Sequence, residues 1–490
     1  MKRALVLLTV ALLACRGVQV AGAPGEGPAS AAVATPAERA HVPVPGPAPA
    51  LSVPPQHHFQ LSNGLKVRLV EYHRLPIVAL HLVVDAGAVH DPEDRPGLAS
   101  FTAAMLTEGT RSRSATRISD DLGFIGASLD AGAGFDSASL SGATLTAHLD
   151  ALLEIFADVL THPAFPPADF ARVQDERMVA LVQQRDQPAA VAAKAFSQAY
   201  WGDHPYGHWL MGTEESLKAT TRADLASFHA ARWRPGGSEL VVVGDVTQAD
   251  LAGRLERALT AWTGGPPPPS APAAAPLPTR RTLLVEKRGA APQAFVMMGM
   301  PGFRRSSPDY AAAEVAFEVL GGGSSSRLFR DLREKEGYTY GIYARTDARK
   351  LAGASMIVGS VKTTVTGAAT RALLGEIADL RDRPVPADEL VVARNALLLS
   401  LPSEFAGVAG IAGKLAEEVV YGLPDDYWDR YAAQVAAVTP EDVQRVAQRY
   451  LDPSRLTTVM VCDPAAVRPQ LAGLPLGPVE VRSPPGDSAL

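Results

Sequence analysis

Cysteine is nearly absent from this 490-residue chain: there are two, Cys15 and Cys462. That excludes a disulfide framework as the source of its stability. An excess of basic charge is missing too. The 46 Lys and Arg stand against 52 Asp and Glu, for a net charge of −6, so the electrostatic footprint of a nucleic-acid surface is lacking. Long apolar runs are also missing. The stretch Ala4 to Ala14 is apolar but too short to span a bilayer as a mature helix. What remains, 47% hydrophobic and 20% charged residues, is ordinary globular composition. The length implies more than one domain.

Met1-Lys-Arg3 followed by that apolar run is a secretory signal pattern. It ends in Leu12-Leu13-Ala14-Cys15, which resembles the bacterial lipobox. Residues 1–15 are therefore expected to be a lipoprotein-type signal, with Cys15 lipidated and heading the mature chain. The protein is then exported to the periplasm or cell envelope and meets the membrane through a lipid anchor only. A plain cleaved signal, with Cys15 incidental, is the alternative. Residues 16–55, rich in Ala, Pro and Gly, read as a disordered tether. Cys462 lies in the apolar run Leu456–Asp463 and reads as buried filler.

The chain repeats its own plan. Thr221 N-caps a helix with Asp224 in the first turn, and the chain then runs through Arg232-Trp-Arg-Pro235 to the strand Leu240–Asp245. Thr439 N-caps a second helix with Pro440 at its first position and Asp442 in its first turn. It runs through Arg449-Tyr-Leu-Asp-Pro453 to the strand Thr457–Asp463, over the same number of residues. The strands Gly64–Glu71 and Ile77–Val84 open the first half, and Arg281–Glu286 and Ala294–Gly299 open the second. Helical stretches lie between, at Ala147–Leu160, Asp169–Arg185, Tyr310–Leu320 and Thr366–Leu380. Strands, then helices, then strands indicate α+β layers. A Pro-rich join at 264–280 is extended and stiff, reaching about 50 Å at ~3.1 Å per residue. It separates an N-terminal domain, 56–263, from a homologous C-terminal domain, 281–470; residues 471–490 read as a flexible tail.

The segment Gly97-Leu-Ala-Ser-Phe-Thr-Ala-Ala-Met-Leu-Thr-Glu-Gly-Thr110 has the apolar frame of a zinc-site helix and no zinc ligand. Two His at i and i+4 on one helix face can share a metal with a Glu base between them. Here those slots hold Ser100, Ala103 and Ala104. A methyl group has no lone pair to give. The remaining histidines offer no replacement, since neither His57-His58 nor His204 and His208 has a Glu at helical spacing, and His81 sits in an alternating strand.

With these residues in view, the chain resembles the insulinase/pitrilysin metallopeptidase family, in its processing-peptidase-like bacterial branch. The resemblance runs from about Phe59 to Asp463. It is carried by Asn63-Gly-Leu-Lys-Val, Gly97-Leu-Ala, Met105-Leu-Thr-Glu-Gly-Thr110, His204-Pro-Tyr-Gly207, Leu320-Gly-Gly-Gly-Ser-Ser-Ser-Arg-Leu-Phe329 and Arg333-Glu-Lys-Glu-Gly-Tyr-Thr-Tyr340. It implies an α+β fold of two homologous domains, each a mostly antiparallel sheet with helices packed on one face, facing each other around a peptide-binding chamber. Active members carry an H-x-x-E-H helix and a distant ligand Glu. Alignment puts the former at Ser100, Ala103 and Ala104 and the latter at Gln183, with the accessory acid Glu176 kept. No metal or other cofactor is then expected on this chain.

The family's second half supplies an Arg/Tyr pair to substrate, and the resemblance assigns it to Arg333 and Tyr340, with Tyr338 as competitor. Their donors suit a substrate carbonyl. By residues alone they are a surface Arg and a packed strand Tyr. Gly321, Gly322 and Gly323 resemble the Gly-rich substrate loop of the non-catalytic processing-peptidase subunit, in shortened form; a hinge between helices is the equal alternative. The resulting expectation is a zinc-less subunit of a heteromeric peptidase. It would be inactive alone and would present peptide to an H-x-x-E-H homologue that brings zinc. A non-hydrolytic peptide-binding or scaffold protein of the cell envelope is the other reading.

Overall fold

The computed structural model of the chain describes residues 53–269, 274–287 and 289–483. The signal segment with Cys15, nearly all of the tether, four residues of the Pro-rich join and the last seven residues lie outside the described residues.

Apolar runs, buried on both faces in the central strands, build two six-stranded sheets. The first contains β1 (His57–Gln60), β2 (Lys66–Glu71), β3 (Ile77–Val84), β4 (Ser128–Ala133), β5 (Ala138–Leu145) and β6 (Ser238–Gly244), in the order β1-β2-β6-β3-β5-β4. The second contains β7 (Arg281–Glu286), β8 (Gln293–Pro301), β9 (Thr339–Ala348), β10 (Gly353–Lys362), β11 (Thr457–Cys462) and β12 (Val479–Arg482), in the order β12-β7-β11-β8-β10-β9. From the second position on the orders correspond, β2-β6-β3-β5-β4 to β7-β11-β8-β10-β9, which is the internal repeat made structural. The first positions differ, since β1 opens its half and runs antiparallel to β2, while β12 ends its half and runs parallel to β7. Both sheets are mixed: β2 runs parallel to β6, and β7 parallel to β11, while the remaining inner pairs are antiparallel.

The repeated caps form as their residues dictate. Thr221 and Thr439 each accept the backbone N–H three residues on, and Asp224 and Asp442 reach back to the cap N–H. Both are reciprocal capping boxes, starting the helices Arg222–Arg232 and Pro440–Tyr450. The expected tail does not hold for 471–482. Val479–Arg482 adds a parallel edge strand to β7, and Leu471 and Leu476 are buried. Val479 and Val481 alternate with charged Glu480 and Arg482, the period-2 pattern that an edge strand needs.

Each sheet packs helices of its own half on one face. Leu69, Leu80, Leu82 and Val242 face the first core, and Val296, Met298, Leu284 and Met460 the second. The opposite faces are covered by exchange. Helix Pro188–Trp201 from the first half lays Val191, Ala192, Ala195 and Phe196 against Leu283, Met297, Val459 and Val461 of the second sheet. Helix Gly407–Tyr421 from the second half lays Ile411, Ala412 and Leu415 against Val70, Ala79, Val241 and Val243 of the first. Polar contacts fix each loan. Tyr200 Oη lies 2.8 Å from the Met300 carbonyl, and Arg68 Nη1 lies 2.5 Å from Glu418 Oε2. Burial pushes the Glu418 carboxyl up to about 8, against the downward pull of Arg68.

The His204-Pro-Tyr-Gly207 motif serves the same joint. Buried Tyr206 donates its hydroxyl to Asp136 and accepts the Leu351 N–H at 3.1 Å, while Asp136 also accepts the Lys350 N–H at 3.0 Å. Among the described residues no single helix is long and apolar enough to cross a membrane.

Candidate functional site

The helix Leu98–Ala104 starts at Gly97, whose backbone φ of 92° lies in the left-handed region that favours glycine. The Asp91 carboxylate accepts the N–H of Gly97 at 2.8 Å and of Ala99 at 2.7 Å. This satisfies two of the donors that a helix start leaves unpaired. Burial is the larger influence on Asp91 and pushes its pKa up to about 7, although both hydrogen bonds and Arg177 pull it down. Leu98, Phe101 and Ala103 sink into the first core. Ser100 lies on the side that meets helix Pro167–Gln184.

What fills the degenerate centre is a guanidinium. Arg177 donates to Ser100 Oγ at 2.6 Å and to the Met211 carbonyl at 3.3 Å, and lies 5.1 Å from the centre of the Phe101 ring. Ser100 Oγ in turn donates to the Leu210 carbonyl. Burial lowers the Arg177 pKa from 12.5 to about 10, and its Nε is buried without a partner among the described residues. The donor set around the old slots is one hydroxyl, two methyl groups and one cation. It does not fit zinc, which takes thiolate, imidazole or carboxylate.

Gln183 takes no part in these contacts. Gln183 is exposed. It lies six residues beyond Arg177, about 120° round the helix, so it cannot share the face that Arg177 presents. Gln184, seven residues on, does share it. Gln184 accepts from Trp209 Nε1 at 3.1 Å and donates to Met211 Sδ at 3.1 Å. Glu176 points away with Gln183 and pairs with Arg172 at 2.9 Å. Sequence reasoning passed over Arg177, yet a signal was there: a lone cation before the apolar stretch Met178-Val-Ala-Leu181. Ser100, Arg177 and Gln184 together hold the 209–211 loop.

The second-half residues lie elsewhere. Arg333 is exposed on the π-helical segment Phe329–Lys335, 4.5 Å from the centre of the Phe329 ring. Tyr340 is 75% exposed. Register passes from Thr339↔Val361 to Gly341↔Ser360, so Tyr340 is the extra residue of a β-bulge in edge strand β9, a device that re-aims a side chain. Neither makes a hydrogen bond or ion pair with another described residue. The competitor Tyr338 is only half-exposed. Gly321 and Gly322 end a second π-helical segment, Glu318–Gly322. A Cβ on Gly321 would sit 2.3 Å from the Ala344 backbone N, and one on Gly322 would strike the Glu318 carboxylate. Packing against β9 therefore accounts for Gly321 and the Glu318 side chain for Gly322, while Gly323 has only Glu318 Oε1 at 3.7 Å.

Comparison with known proteins follows this geometry. Residues 66–214 match the model of the insulinase peptidase family M16, and residues 219–397 match that of the M16 inactive domain. The chain belongs to the insulinase family. The insulinase-family chain is 24% identical over 360 residues to an uncharacterized zinc protease of Streptomyces coelicolor, covering 72% of this chain and 78% of that one. It is 22% identical over 349 residues to an uncharacterized zinc protease of Bacillus subtilis, covering 70% and 84%. Among solved structures, a peptidase M16 inactive domain from Pseudomonas fluorescens superposes with a TM-score of 0.77 at 27% identity, over 83% of this chain and 98% of that one. A protease from Helicobacter pylori superposes equally well at 20% identity, over 83% and 99%, and attests the fold. The two-domain α+β expectation is met by these neighbours.

Proposed function

We propose that this chain is the zinc-less subunit of a heteromeric peptidase, binding peptide and lending Arg333 and Tyr340 to a catalytic partner. One observation carries the reading: Ser100 of the metal-helix segment is tied to Arg177, while Arg333 and Tyr340 stand exposed on the second half with no hydrogen bond or ion pair to another described residue. The exposure of Arg333 on its helical segment and of Tyr340 at the bulged edge of β9 supports a role toward a group outside their own chain. Their donors would polarise a substrate carbonyl held at the partner's centre. The partner is an H-x-x-E-H homologue carrying the metal, and its substrates are extended peptides. β4 and β9 are open sheet edges to which such a peptide can add a strand. On this reading a lipid on Cys15 holds the complex at the cell envelope.

The test is reconstitution with an H-x-x-E-H homologue from the same source. The pair should cleave peptides and the lone chain should not. Arg333→Ala with Tyr340→Phe should lower cleavage by about 100-fold while the two chains still co-elute. Unchanged cleavage by the double variant removes the shared-site role. Peptide binding without cleavage by any pairing leaves the non-hydrolytic scaffold reading in its place.

A further inference from the structure

A cleft of about 580 Å³ lies between the halves, behind the loop that Arg177, Ser100 and Gln184 hold. Its size falls within the range of small-ligand pockets, about 300–1,000 Å³. Phe196, Trp201 and Trp209 give it aromatic walls, and Met211, Met297 and Met356 give it thioether walls. Thioether side chains adapt to varied apolar shapes. Three strand-β9 residues, Arg345, Thr346 and Asp347, also reach it, with Arg349 just past the strand's end. Arg349 is engaged: Asp347 takes its Nη2 at 2.7 Å and its Nε at 3.1 Å. Arg345, opposite Met356 in the sheet register, is exposed and has no hydrogen-bond or ion-pair partner among the described residues.

An apolar chamber with one uncommitted guanidinium at its wall selects a body that is greasy and singly negative. Arg recognises carboxylate through paired donors. Ser197 and the Asp347–Arg349 pair add polar points beside Arg345, which suit the amide of a peptide better than a bare alkyl chain. We propose that this cleft binds the C-terminal end of a peptide whose last residue is large and apolar, with the free carboxylate on Arg345. The degenerate centre is its support: the cation that stands in the metal's slots fixes the Trp209–Met211 wall. The inference rests on the peptide-binding part of the reading above and not on any catalytic partner.

The experiment is titration of the lone chain with N-acetyl-Leu-Phe as free acid, with its C-terminal amide, and with decanoate. Binding is read by calorimetry and by quenching of tryptophan fluorescence. The free acid binds, and the amide binds at least about tenfold more weakly, the loss of a charged hydrogen-bond partner. Arg345→Ala, a change at an exposed position, weakens the acid by the same factor and leaves the amide unchanged. Ala193→Trp, which fills the cleft from helix Pro188–Trp201, abolishes binding of the acid. Equal binding of acid and amide, an Arg345→Ala chain that binds like the parent, tighter binding of decanoate than of peptide acid, or no saturable signal up to about 1 mM would each overturn the assignment. Such a failure is distinguishable from failure of the subunit reading, which is judged by cleavage in the reconstituted pair.

Discussion

Replacing Arg177 tests whether the degenerate centre is held by charge or by packing. A pKa lowered by burial from 12.5 to about 10 corresponds to about 3 kcal/mol against the charged form. The hydrogen bonds to Ser100 and Met211 oppose that penalty at about 1.5–3 kcal/mol for a good charged donor, and the Met211 bond is long at 3.3 Å. The two sides nearly cancel. The packing of the side chain, whose guanidinium carbon lies 5.1 Å from the centre of the Phe101 ring, then decides the outcome. Arg177→Met keeps an unbranched stem there and removes both the penalty and the bonds, so stability should change by no more than about 1 kcal/mol. Arg177→Ala leaves a void beside Phe101 and should lose about 2–3 kcal/mol. Urea unfolding of the full chain, with the slope held constant, gives both values. If Met proves as destabilising as Ala, the guanidinium itself holds the centre and the packing argument fails.

Four further substitutions probe other parts of the molecule. Tyr206→Phe leaves Asp136 and the Leu351 N–H short of a partner in the joint between the halves and should lower stability by about 1–3 kcal/mol; an unchanged urea midpoint would show the joint is held otherwise. Gly321→Ala should lose about 1–3 kcal/mol because backbone blocks its methyl, whereas Gly323→Ala should be near neutral. Equal effects in thermal melts would contradict that difference. His229, whose pKa is lowered from 6.5 to about 4 by burial, stays neutral in the fold while the unfolded chain takes up a proton. Its contribution therefore falls as pH drops from 6.5 to 4, by about 3 kcal/mol. His229→Gln keeps a donor for the Leu160 carbonyl and lacks this titration. The stability gap between parent and variant should shift by that amount over the window, and a constant gap would refute the assignment.

Local physics made much of the fold readable. A capping threonine, an acid three residues later and a Pro or Gly stop are short-range signals, and they placed the helices Arg222–Arg232 and Pro440–Tyr450. Short apolar runs placed β3 and β7 at the limits expected. The absence of His and Glu at Ser100, Ala103 and Ala104 is equally plain in the sequence, because it is a matter of residue type. What stayed hidden depends on long-range placement. Helix Pro188–Trp201 looks in sequence like any alanine-rich core helix, and nothing local says that it covers the other half's sheet. Gln183 and Gln184 are neighbours of the same type, and a single step round the helix decides which one faces Ser100. Strand β12 exists only because β7 offers an edge, so its four residues read as tail when considered alone.

The loan of one helix from each half to the other has a consequence for how this protein can be divided. A nick in the Pro-rich join would cut the covalent thread without releasing either fragment, since each would still be clasped by a segment of its neighbour. Expressed singly, a fragment would present a bare row of valines to solvent and invite aggregation. Gene fission between the two repeats is therefore a viable route to a two-chain protein only if both products are made together.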